Sequence, residues 1–560
     1  MKKRMIAVLT LLALAASLTA CGNRKADTAP ESSQSAAASG GTSEELDGVR
    51  FKETRKITVE VFDRANDGGS KPENNFYTDY IKEGMLRDHN VEVEFVPVPR
   101  WTEVEQMNNL LASGDAPDVC VTYNYPTIQV YAEMGGIYNL KDIVDDYKDL
   151  LPNLWGHLGE TCIYWDKLPN GDLWALEARL AVLARTNTFI RKDWLDKLGL
   201  KEPTTMEEFE AALEAFKDNA ELLLGGEANK MIPMSISYDV GWRGDLLFAS
   251  MTPEAITDKD RYVYGFDDRR FLYPGVKEGV KVLNDWYNKG LIWKDFALYD
   301  ADDTATEDNL LKAGYVGAFI HNWDYPYRNG DDSINAGLKR SAGEDAGFVA
   351  VECFKNDAGI YRKYNLEPVD RKVFFPATND EPLASMFYLD WISKYENRLF
   401  LQIGEEGITH EVLEDGGIKT IAAKGEKIMN SPNNIDYTIT INGLSFEDPD
   451  VTAKSLAQNY SGIESEIVQK ALKISLNELS SGNPSNVFGA VKSQENVGAS
   501  LTEKRNTILD QAVVASPEKF DEVFDKGMQD YLSSGGQAII DERSEKWESM
   551  LGDKTDFGFE

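Results

Sequence analysis

The sequence predicts an α/β fold in which strands and helices alternate around a mostly parallel sheet. Apolar and polar residues alternate over residues 57–62, a pattern typical of a strand. A helical stretch follows as far as Arg87, and Val91, Val93 and Phe95 then alternate as a second strand. Strands separated by a helix predict βαβ units, whose strands run parallel.

The remaining elements follow in order along the chain. Pro97 and Pro99 lack the backbone N–H that a sheet interior needs, so we expect them to end the second strand. Thr102 and Glu105 have capping-box spacing at the start of a helix that ends near Gly114. The later elements are expected as a short buried strand at 117–121, a helix ending at Gly199, a helix with Thr205 as its N-cap, strands at 316–320 and 373–375, and helices at 276–288, 381–395, 463–480 and 518–550.

Composition excludes several classes of function. The 560 residues are enough for two or more domains, and 94 acidic against 59 basic residues give a net charge of −35. A surface this negative repels phosphate backbones, so no nucleic-acid partner is expected. The four cysteines contain no CxxC pair, and the four histidines have no metal-ligand spacing. The sequence therefore predicts no disulfide scaffold, no metal site and no other cofactor.

The first 22 residues are typical of an export signal. A basic head at residues 2–4 precedes an apolar stretch at residues 6–17 that is too short to span a bilayer comfortably. The sequence Leu-Thr-Ala-Cys-Gly at residues 18–22 resembles the bacterial lipobox. That resemblance implies a signal peptide over residues 1–20, cleavage before Cys21, and a diacylglyceryl group on its sulfur. The alternative is a plain secretory signal with a chance cysteine.

Residues 21–50 are predicted to form a flexible, lipid-anchored tether. Residues 22–46 are dominated by small and polar side chains, which bury too little surface to order the segment. Two acyl chains, at about 0.8 kcal/mol per buried methylene, hold a soluble domain firmly to a membrane. The sequence therefore predicts an extracytoplasmic protein that is anchored to the outer face of the cell membrane by lipidated Cys21 and meets the membrane through that anchor alone.

Five short motifs follow one another along the chain. They are Ser113–Val119, Arg191–Leu200 with the Pro-Thr-Thr at 203–205, Leu283–Ile292, Ala313–Ala318 and Gly404–Ile408. In this order they resemble the motifs of bacterial extracellular solute-binding proteins of the maltose-binding-like group (family 1), which serve ABC sugar importers. The resemblance covers most of the chain after the tether. It implies a two-lobe, periplasmic-binding-protein-like (type II) α/β fold with a ligand cleft between the lobes.

The same resemblance implies the organisation and partners of the folded part. Lobe 1 is expected over 51–180 and 373–430, lobe 2 over 181–372 and 431–560, and crossing segments near 176–186, 370–376 and 425–450. The implied partners are an oligosaccharide ligand and the permease subunits of the importer, and the chain itself is expected to be a monomer. Some members carry a calcium loop after the helix that Thr205 begins, but residues 217–224 here are largely apolar, so no such site is predicted.

The chemistry of sugars predicts where the ligand contacts lie. A sugar presents hydroxyl groups and an apolar C–H face, so its site needs aromatic rings and side chains with paired donors and acceptors. In doubly wound sheets such side chains lie beyond the carboxyl ends of strands. The predicted ligand set is Asp63, Arg64, Asn66, Tyr123, Asn124, Tyr125, Tyr238, Trp242, His321, Asn322, Trp323 and Tyr325 in four such loops, with Trp174, Arg185 and Asn379 near the crossings.

Each of these loops has a structural alternative. The loop at 63–67 is also consistent with a solvated turn, and the loop at 238–245 with an ordinary surface loop. At least one tyrosine of the loop at 123–125 is equally consistent with core packing, and core packing is the less favoured alternative for the loop at 321–325. Trp101, at the start of a helix, is consistent either with a site or with packing on its own lobe.

The function that follows is capture of an oligosaccharide between two lobes and its delivery, unchanged, to an ABC importer. Two other classes stay open, namely a secreted lipoprotein enzyme that degrades glycans and a surface glycan adhesin without transport. The HExxH and GxSxG motifs of common hydrolases are absent. Paired carboxylates for glycoside cleavage are recognised in space rather than in sequence, so 94 acidic residues leave that class open.

Overall fold

The computed structural model describes most of the chain after residue 44. The described ranges are 45–64, 71–123, 125–168, 170–253, 256–299, 304–356, 358–361, 363–364, 368–421, 425–429, 431–477, 479–480, 491–495 and 497–556. The chain divides into two units after Leu46, and the fold described here is that of the second unit, Asp47–Glu560. The predicted signal peptide, Cys21 and most of the predicted tether lie outside the described residues.

Six strands form what we call sheet 1. Their spatial order is Val91–Pro99, Arg55–Asp63, Cys120–Thr122, Val369–Phe374, Leu176–Leu180 and Ile441–Asn442. Backbone hydrogen bonds between Val119 and the strand Arg55–Asp63, at 2.9 and 3.0 Å, join the first two strands to the rest. Val369–Phe374 runs antiparallel to both of its neighbours, whereas the other strands share one direction.

Four strands form sheet 2. Their spatial order is Ile232–Ser235, Val316–Asn322, Thr186–Arg191 and Phe348–Val351. Thr186–Arg191 runs antiparallel to both neighbours, and the other three strands share one direction. Large apolar side chains cover both faces, with Phe189 and Phe319 in one core cluster and Ile190 and Ile320 in the other. Sheet 2 is therefore buried on both sides, as expected of an α/β sheet.

The prediction of a mostly parallel sheet is wrong, because both sheets are mixed. The chain passes directly from sheet 1 to sheet 2 at residues 181–185 and returns between residues 351 and 369. A strand that continues straight from one sheet into another starts at the edge where the resident strands end. It therefore runs opposite to them, and a helical crossover would be needed to make it parallel.

The described α-helices pack on these sheets or, for the last helices of the chain, mainly on other helices. They are Phe76–His89, Glu103–Ser113, Tyr125–Glu133, Lys141–Asp146, Pro152–Ile163, Lys192–Leu198, Met206–Asp218, Ala220–Leu224, Val240–Arg243, Asp245–Ser250, Asp258–Tyr264, Val276–Asn288, Thr304–Ala313, Ile334–Ala342, Pro382–Ser393, Tyr395–Ile403, Pro449–Ala457, Ser465–Leu476, Lys492–Glu495, Gly498–Val514, Phe520–Tyr531 and Gln537–Leu551. Within the described part of the chain, no helix is both long enough and apolar enough to cross a membrane.

Local predictions about these elements have mixed outcomes. The helix at 276–288 and the N-cap at Thr205, whose hydroxyl accepts the Glu208 N–H, are confirmed. The expected end of the second strand at its two prolines is confirmed, since the strand runs to Pro99 and Pro97 lies within it at the outer edge of sheet 1. Thr102 makes no side-chain cap, since a 3₁₀ turn precedes its helix.

Strand pairing differs from the expected lobe boundaries. Residues 369–372 and 441–442 pair within sheet 1, whereas boundaries at 373 and 431 would assign them to the second lobe. The expected crossing at 370–376 also lies inside a strand of sheet 1, and the passage between the sheets precedes it. Sequence patterns locate a strand but do not show which sheet accepts it.

Candidate functional site

The candidate site lies where the two sheets are joined. In each sheet, the strands that share a direction end at one edge, which we call edge 1 in sheet 1 and edge 2 in sheet 2. The segment 181–185 connects these edges, since it leaves sheet 1 at Leu180 and enters sheet 2 at Thr186, the partner of Asn322. Ligands of open α/β sheets bind beyond the carboxyl ends of strands. The loops at edges 1 and 2 are therefore the first place to look for a ligand site.

A stack of aromatic and cationic side chains lies at edge 1. The guanidinium carbon of Arg100 is 3.9 Å from the centre of the Tyr123 ring and 5.2 Å from that of Phe62. Trp101 follows in the chain, with Arg100 5.5 Å from its ring, and 76% of its surface is exposed. The exposed ring excludes packing of Trp101 on its own lobe. It offers the flat apolar face that a sugar ring requires.

Glu103 holds this stack in place through hydrogen bonds and an ion pair. Its carboxylate accepts hydrogen bonds from the Thr122 hydroxyl at 3.1 Å and from the Tyr123 N–H at 3.0 Å. It also pairs with Arg100 at 3.1 Å. One buried carboxylate thus ties the end of strand Cys120–Thr122 to the cation that lies on the Tyr123 ring.

Arg100 and Glu103 are absent from the predicted ligand set. Both follow strand Val91–Pro99 at edge 1, but Trp101 alone of this segment was considered from the sequence. The rule that ligands bind beyond the carboxyl ends of strands, applied to this strand as well, would have found them.

Arg64 orders the loop after the first strand of sheet 1. Its Nε and Nη2 donate to the two carboxylate oxygens of Asp436 at 2.7 and 2.8 Å, and Asp436 is only 2% exposed. This bidentate pair raises the pKa of Arg64. Asp63 is exposed beside it, whereas Asn66 and Asn124 lie outside the described residues, as does the side chain of Tyr125.

A second aromatic cluster lies at edge 2 around His321. The Tyr325 ring stacks on the imidazole at a centroid distance of 3.3 Å, and the Trp242 ring meets it edge-on at 4.5 Å. The Tyr238 hydroxyl lies 2.8 Å from His321 Nε2. His321 and Tyr238 are buried, while Trp242 is half-buried and shows part of its ring to solvent. The structure thus brings these four predicted residues together.

The hydrogen bonds of His321 place its proton. Nδ1 accepts the backbone N–H of Asn322 at 2.8 Å, so the neutral ring carries its proton on Nε2 and donates it to Tyr238. Burial, and then the positive charges of Arg243 and Arg328, lower the pKa of His321 far below its usual value. Burial also raises the pKa of Tyr238 to about 12. The Tyr238 hydroxyl keeps its own proton and can donate it to a ligand oxygen.

A fully buried ion pair supports the edge 2 cluster. Two nitrogens of Arg243 donate to the two carboxylate oxygens of Glu307, each at 2.7 Å, and neither side chain is exposed. The guanidinium carbon lies 5.4 Å from the centre of the Tyr238 ring. Such a pair is rigid, because its geometry is bidentate and both charges are removed from water.

Arg185 lies in the segment that joins the two edges. Its guanidinium is 3.6 Å from the Asp245 carboxylate, and its backbone N–H donates to the Ser475 hydroxyl at 3.0 Å. Its carbonyl accepts the Trp323 N–H at 2.9 Å. Arg185 therefore sits beside edge 2, partly buried, with its backbone tied to two elements of the sheet 2 side.

Trp323 is not a ligand platform. Its side chain is 9% exposed and belongs to a buried apolar cluster that includes Phe189 and Leu338. The residue follows directly on the polar end of its strand, but its ring turns into the core. The mixture of polar and aromatic residues at 321–325 did not reveal which of the rings packs inside.

Asn379 and Trp174 lie at the wrong edge of sheet 1. Strand Val369–Phe374 is antiparallel to its neighbours, so Asn379, which follows it, lies away from edge 1. Its amide donates to the Asp118 carbonyl and the Ser385 hydroxyl. Trp174 precedes its strand and packs partly buried against a core cluster. Neither residue is available to a ligand at edge 1.

Comparison with known proteins shows which proteins this chain resembles. Residues 81–352 match a family model described as bacterial extracellular solute-binding protein. The fructooligosaccharide ABC transporter substrate-binding protein FusA of Streptococcus pneumoniae is 27% identical over 326 residues, 54% of this chain and 55% of that relative. The match thus spans about half the length of that relative. The polygalacturonan/rhamnogalacturonan-binding protein YtcQ of Bacillus subtilis is 21% identical over 469 residues, 81% of this chain and 85% of the relative.

Solved structures show the same fold. A solute-binding protein of Bifidobacterium longum infantis, described as HMO-binding and ABC-transporter-associated, gives a TM-score of 0.55 at 16% identity, covering 90% of this chain and 100% of that one. FusA of S. pneumoniae in complex with kestose gives 0.54 at 18% identity, covering 89% and 100%. These similarities confirm the predicted two-lobe α/β fold.

We predict that Glu307→Gln destabilises the protein by about 3 kcal/mol or more. The substitution keeps the volume but leaves the buried Arg243 charge without its carboxylate. Urea unfolding followed by tryptophan fluorescence measures the loss. Glu227→Gln removes an exposed pair with Lys230 and should change stability by less than about 0.5 kcal/mol. Equal effects of the two substitutions would contradict the role of the buried pair.

Protonation of Asp510, on helix Gly498–Val514, is expected to make the free energy of unfolding depend on pH. Burial, and then the negative charge of Asp239, raise the pKa of Asp510 to about 7. The native state therefore holds a proton that the unfolded chain releases near pH 4, so stability falls as the pH rises from about 4 to about 7, by at most about 1.4 kcal/mol per pH unit.

Asp510→Asn should remove this fall in stability, since the amide stays neutral at every pH. The free energy of unfolding measured in urea at pH 4.5, 5.5 and 6.5 tests it. Asp521→Asn is the matched control, because Lys277 lowers the pKa of that exposed carboxyl and its titration lies below this window. An unchanged pH dependence in Asp510→Asn would refute the assignment.

Proposed function

We propose that this chain, a bacterial extracellular solute-binding protein by the match of residues 81–352, captures an oligosaccharide and delivers it unchanged to an ABC importer. Its relatives include a fructooligosaccharide transporter's substrate-binding protein and a polygalacturonan/rhamnogalacturonan-binding protein, both of which have carbohydrate functions. The chain acts as a monomer, with the permease subunits of the importer as its protein partner.

The exposed ring of Trp101 is the observation that carries this proposal. It lies at edge 1 beside a stacked cation, while the half-buried Trp242 occupies edge 2. Two aromatic faces with nearby Arg, Asp and Tyr groups suit a chain of sugar rings, whose C–H faces stack and whose hydroxyls need paired donors and acceptors.

In this proposal, the oligosaccharide is captured because it contacts both edge 1 and edge 2. We propose that sheet 1 and its helices form one lobe, that sheet 2 and its helices form the other, and that the lobes move about the passages near residues 181–185, 352–368 and 443–448. A ligand that contacts both edges binds the closed arrangement more tightly than the open one. It therefore shifts the population toward the closed form, which the importer recognises.

We propose binding without turnover. The alternatives are a glycan-degrading enzyme and an adhesin without transport, and both predict different behaviour. An enzyme would release shorter products from an oligosaccharide, and an adhesin would not change shape on binding a soluble one. Chromatography of the sugar after incubation and small-angle scattering with and without the sugar separate the three classes.

We also propose that lipidated Cys21 anchors the protein outside the cell. The basic head, the short apolar stretch and the lipobox-like residues 18–22 support cleavage before Cys21. The small, polar residues that follow support a tether long enough to let the folded part reach a permease.

The oligosaccharide proposal predicts that Trp101→Ala weakens sugar binding. A panel of fructan-, pectin- and host-glycan-derived oligosaccharides is first screened by thermal shift to find a ligand. Calorimetric titration of that ligand should then show a loss of about 1 kcal/mol or more, roughly fivefold, with an unchanged Tm of the free protein, because the ring is exposed.

Trp323→Ala is the matched control for this experiment. It removes a buried ring and should lower the stability of the free protein by about 3 kcal/mol. If no oligosaccharide binds, or if Trp101→Ala binds as tightly as the original chain, the proposed site is wrong.

The anchor proposal predicts that Cys21→Ser releases the protein from the membrane. Without the thiol there is no diacylglyceryl group, and a soluble domain keeps no other hold on the bilayer. Fractionation of bacteria that express each form measures the change, since the original should sediment with membranes and the variant should appear in the medium or periplasm. Sedimentation of both forms with membranes would count against the anchor.

A further inference from the structure

A cavity of about 1050 Å³ lies beside the passages between the two sheets. It is lined by helix Pro152–Ile163, residues 179–183, residues 445–456 and the end of helix Ser465–Leu476. No described member of the predicted ligand set lines it. The cavity is therefore apart from the described members of the predicted ligand set, although Leu180 ends a strand at edge 1 and residues 181–183 lie in the segment that joins the two edges.

Arg398 brings a buried positive charge to this cavity. The residue is 7% exposed and lines the cavity wall. Its Nη1 donates to one carbonyl oxygen, that of Ser445, at 3.3 Å, and its buried Nε has no hydrogen-bond partner. Among the residues that the structure describes, no carboxylate lies within ion-pair distance of Arg398.

Other buried arginines of this chain are compensated. Arg243 binds both carboxylate oxygens of Glu307, and Arg505 binds Asp267 and Asp268. Burying a charge without a partner costs free energy, which is why such charges are normally paired. Arg398 departs from this pattern.

Further cationic and polar groups line the same space. Arg179 and Lys473 both reach the cavity and are largely exposed. Nε2 of His157 is buried there and has no hydrogen-bond partner in the part of the chain that the structure describes. Burial lowers the pKa of His157 to about 3, with the charges of Arg398 and Arg179 as the next causes, so the cavity holds cations close enough to repel a further proton. The acidic residues Glu447 and Asp450 are exposed at its rim.

We propose that this cavity is a binding site for a small organic or inorganic anion carrying phosphate or carboxylate groups, with Arg398 as its buried counter-charge and Arg179 as its outer contact. A guanidinium presents a planar fork of donors that matches both kinds of oxyanion. The volume admits a molecule of the size that ordinary ligand pockets hold. The site is distinct from the proposed sugar site and does not rest on it.

Such an anion would be coupled to the movement of the lobes. The cavity wall includes residues 181–183 and elements on both the sheet 1 and sheet 2 sides, so its shape changes when the passages bend. If one arrangement of the lobes binds the anion better, anion and lobe closure affect each other to the same extent.

The test is thermal unfolding of the purified chain in sodium phosphate, in sodium citrate and in sodium chloride at equal ionic strength and pH 7. We expect phosphate, citrate or both to raise the Tm by at least about 2 °C over chloride. Phosphate alone indicates a phosphate-bearing ligand, and citrate alone a carboxylate-bearing one. An equal Tm in all three salts overturns the proposal.

Two substitutions and a control locate the effect. Arg398→Met should remove at least three quarters of the rise, and in chloride its Tm should equal or exceed that of the original chain, because an uncompensated buried charge is gone. Arg340→Gln, an exposed arginine outside the cavity, should keep the full rise. A full rise in Arg398→Met overturns the proposal. If that variant fails to fold, the exposed Arg179→Gln decides, with loss of half the rise or more in support and an unchanged rise against.

Discussion

The structure depends on one constraint, which is that the chain passes between two sheets without turning back. Leu176–Leu180 ends at edge 1, and its direct continuation, Thr186–Arg191, starts at edge 2. Phe348–Val351 and Val369–Phe374 repeat this in the opposite sense. Because each incoming strand runs against the resident strands, both sheets are mixed and their carboxyl edges are joined by a short segment. The position of the candidate site follows from this topology before any side chain is considered.

The two edges are built differently. At edge 1, Glu103 holds the aromatic stack through hydrogen bonds at the end of strand Cys120–Thr122. Trp101 stays open to solvent. Edge 2 buries most of its cluster over the Arg243–Glu307 pair and exposes only part of Trp242. An open platform on one edge and a rigid, prearranged cluster on the other would suit the proposed capture, since a ligand that lands on the first lobe would need little ordering of the second.

Local chemistry was predictable from the sequence and long-range pairing was not. The N-cap at Thr205 and the helix at 276–288 depend on neighbours within four residues, and both were found. Tyr238, Trp242 and His321 were placed in loops after strands, and the structure brings them together. Asn379 was misplaced because the direction of its strand depends on which sheet receives it. Trp323 was misplaced because a ring that follows a strand can turn inward or outward, and only the packing of distant helices decides this.

The buried arginines of this protein differ in how their positive charge is offset. The chain carries a net charge of −35, so carboxylates are plentiful and a buried arginine without one is not a consequence of scarcity. Arg371, also fully buried, has no carboxylate partner among the residues that the structure describes, but it donates to three backbone carbonyls, which offset its charge. Arg398 has one such carbonyl, at 3.3 Å, and an open cavity in front of it. If an anion binds beside the passages between the lobes, as we propose, it acts on their equilibrium wherever the sugar itself binds, and Arg398, whose charge has no carboxylate partner among the described residues, would let a dissolved anion change how readily the lobes close.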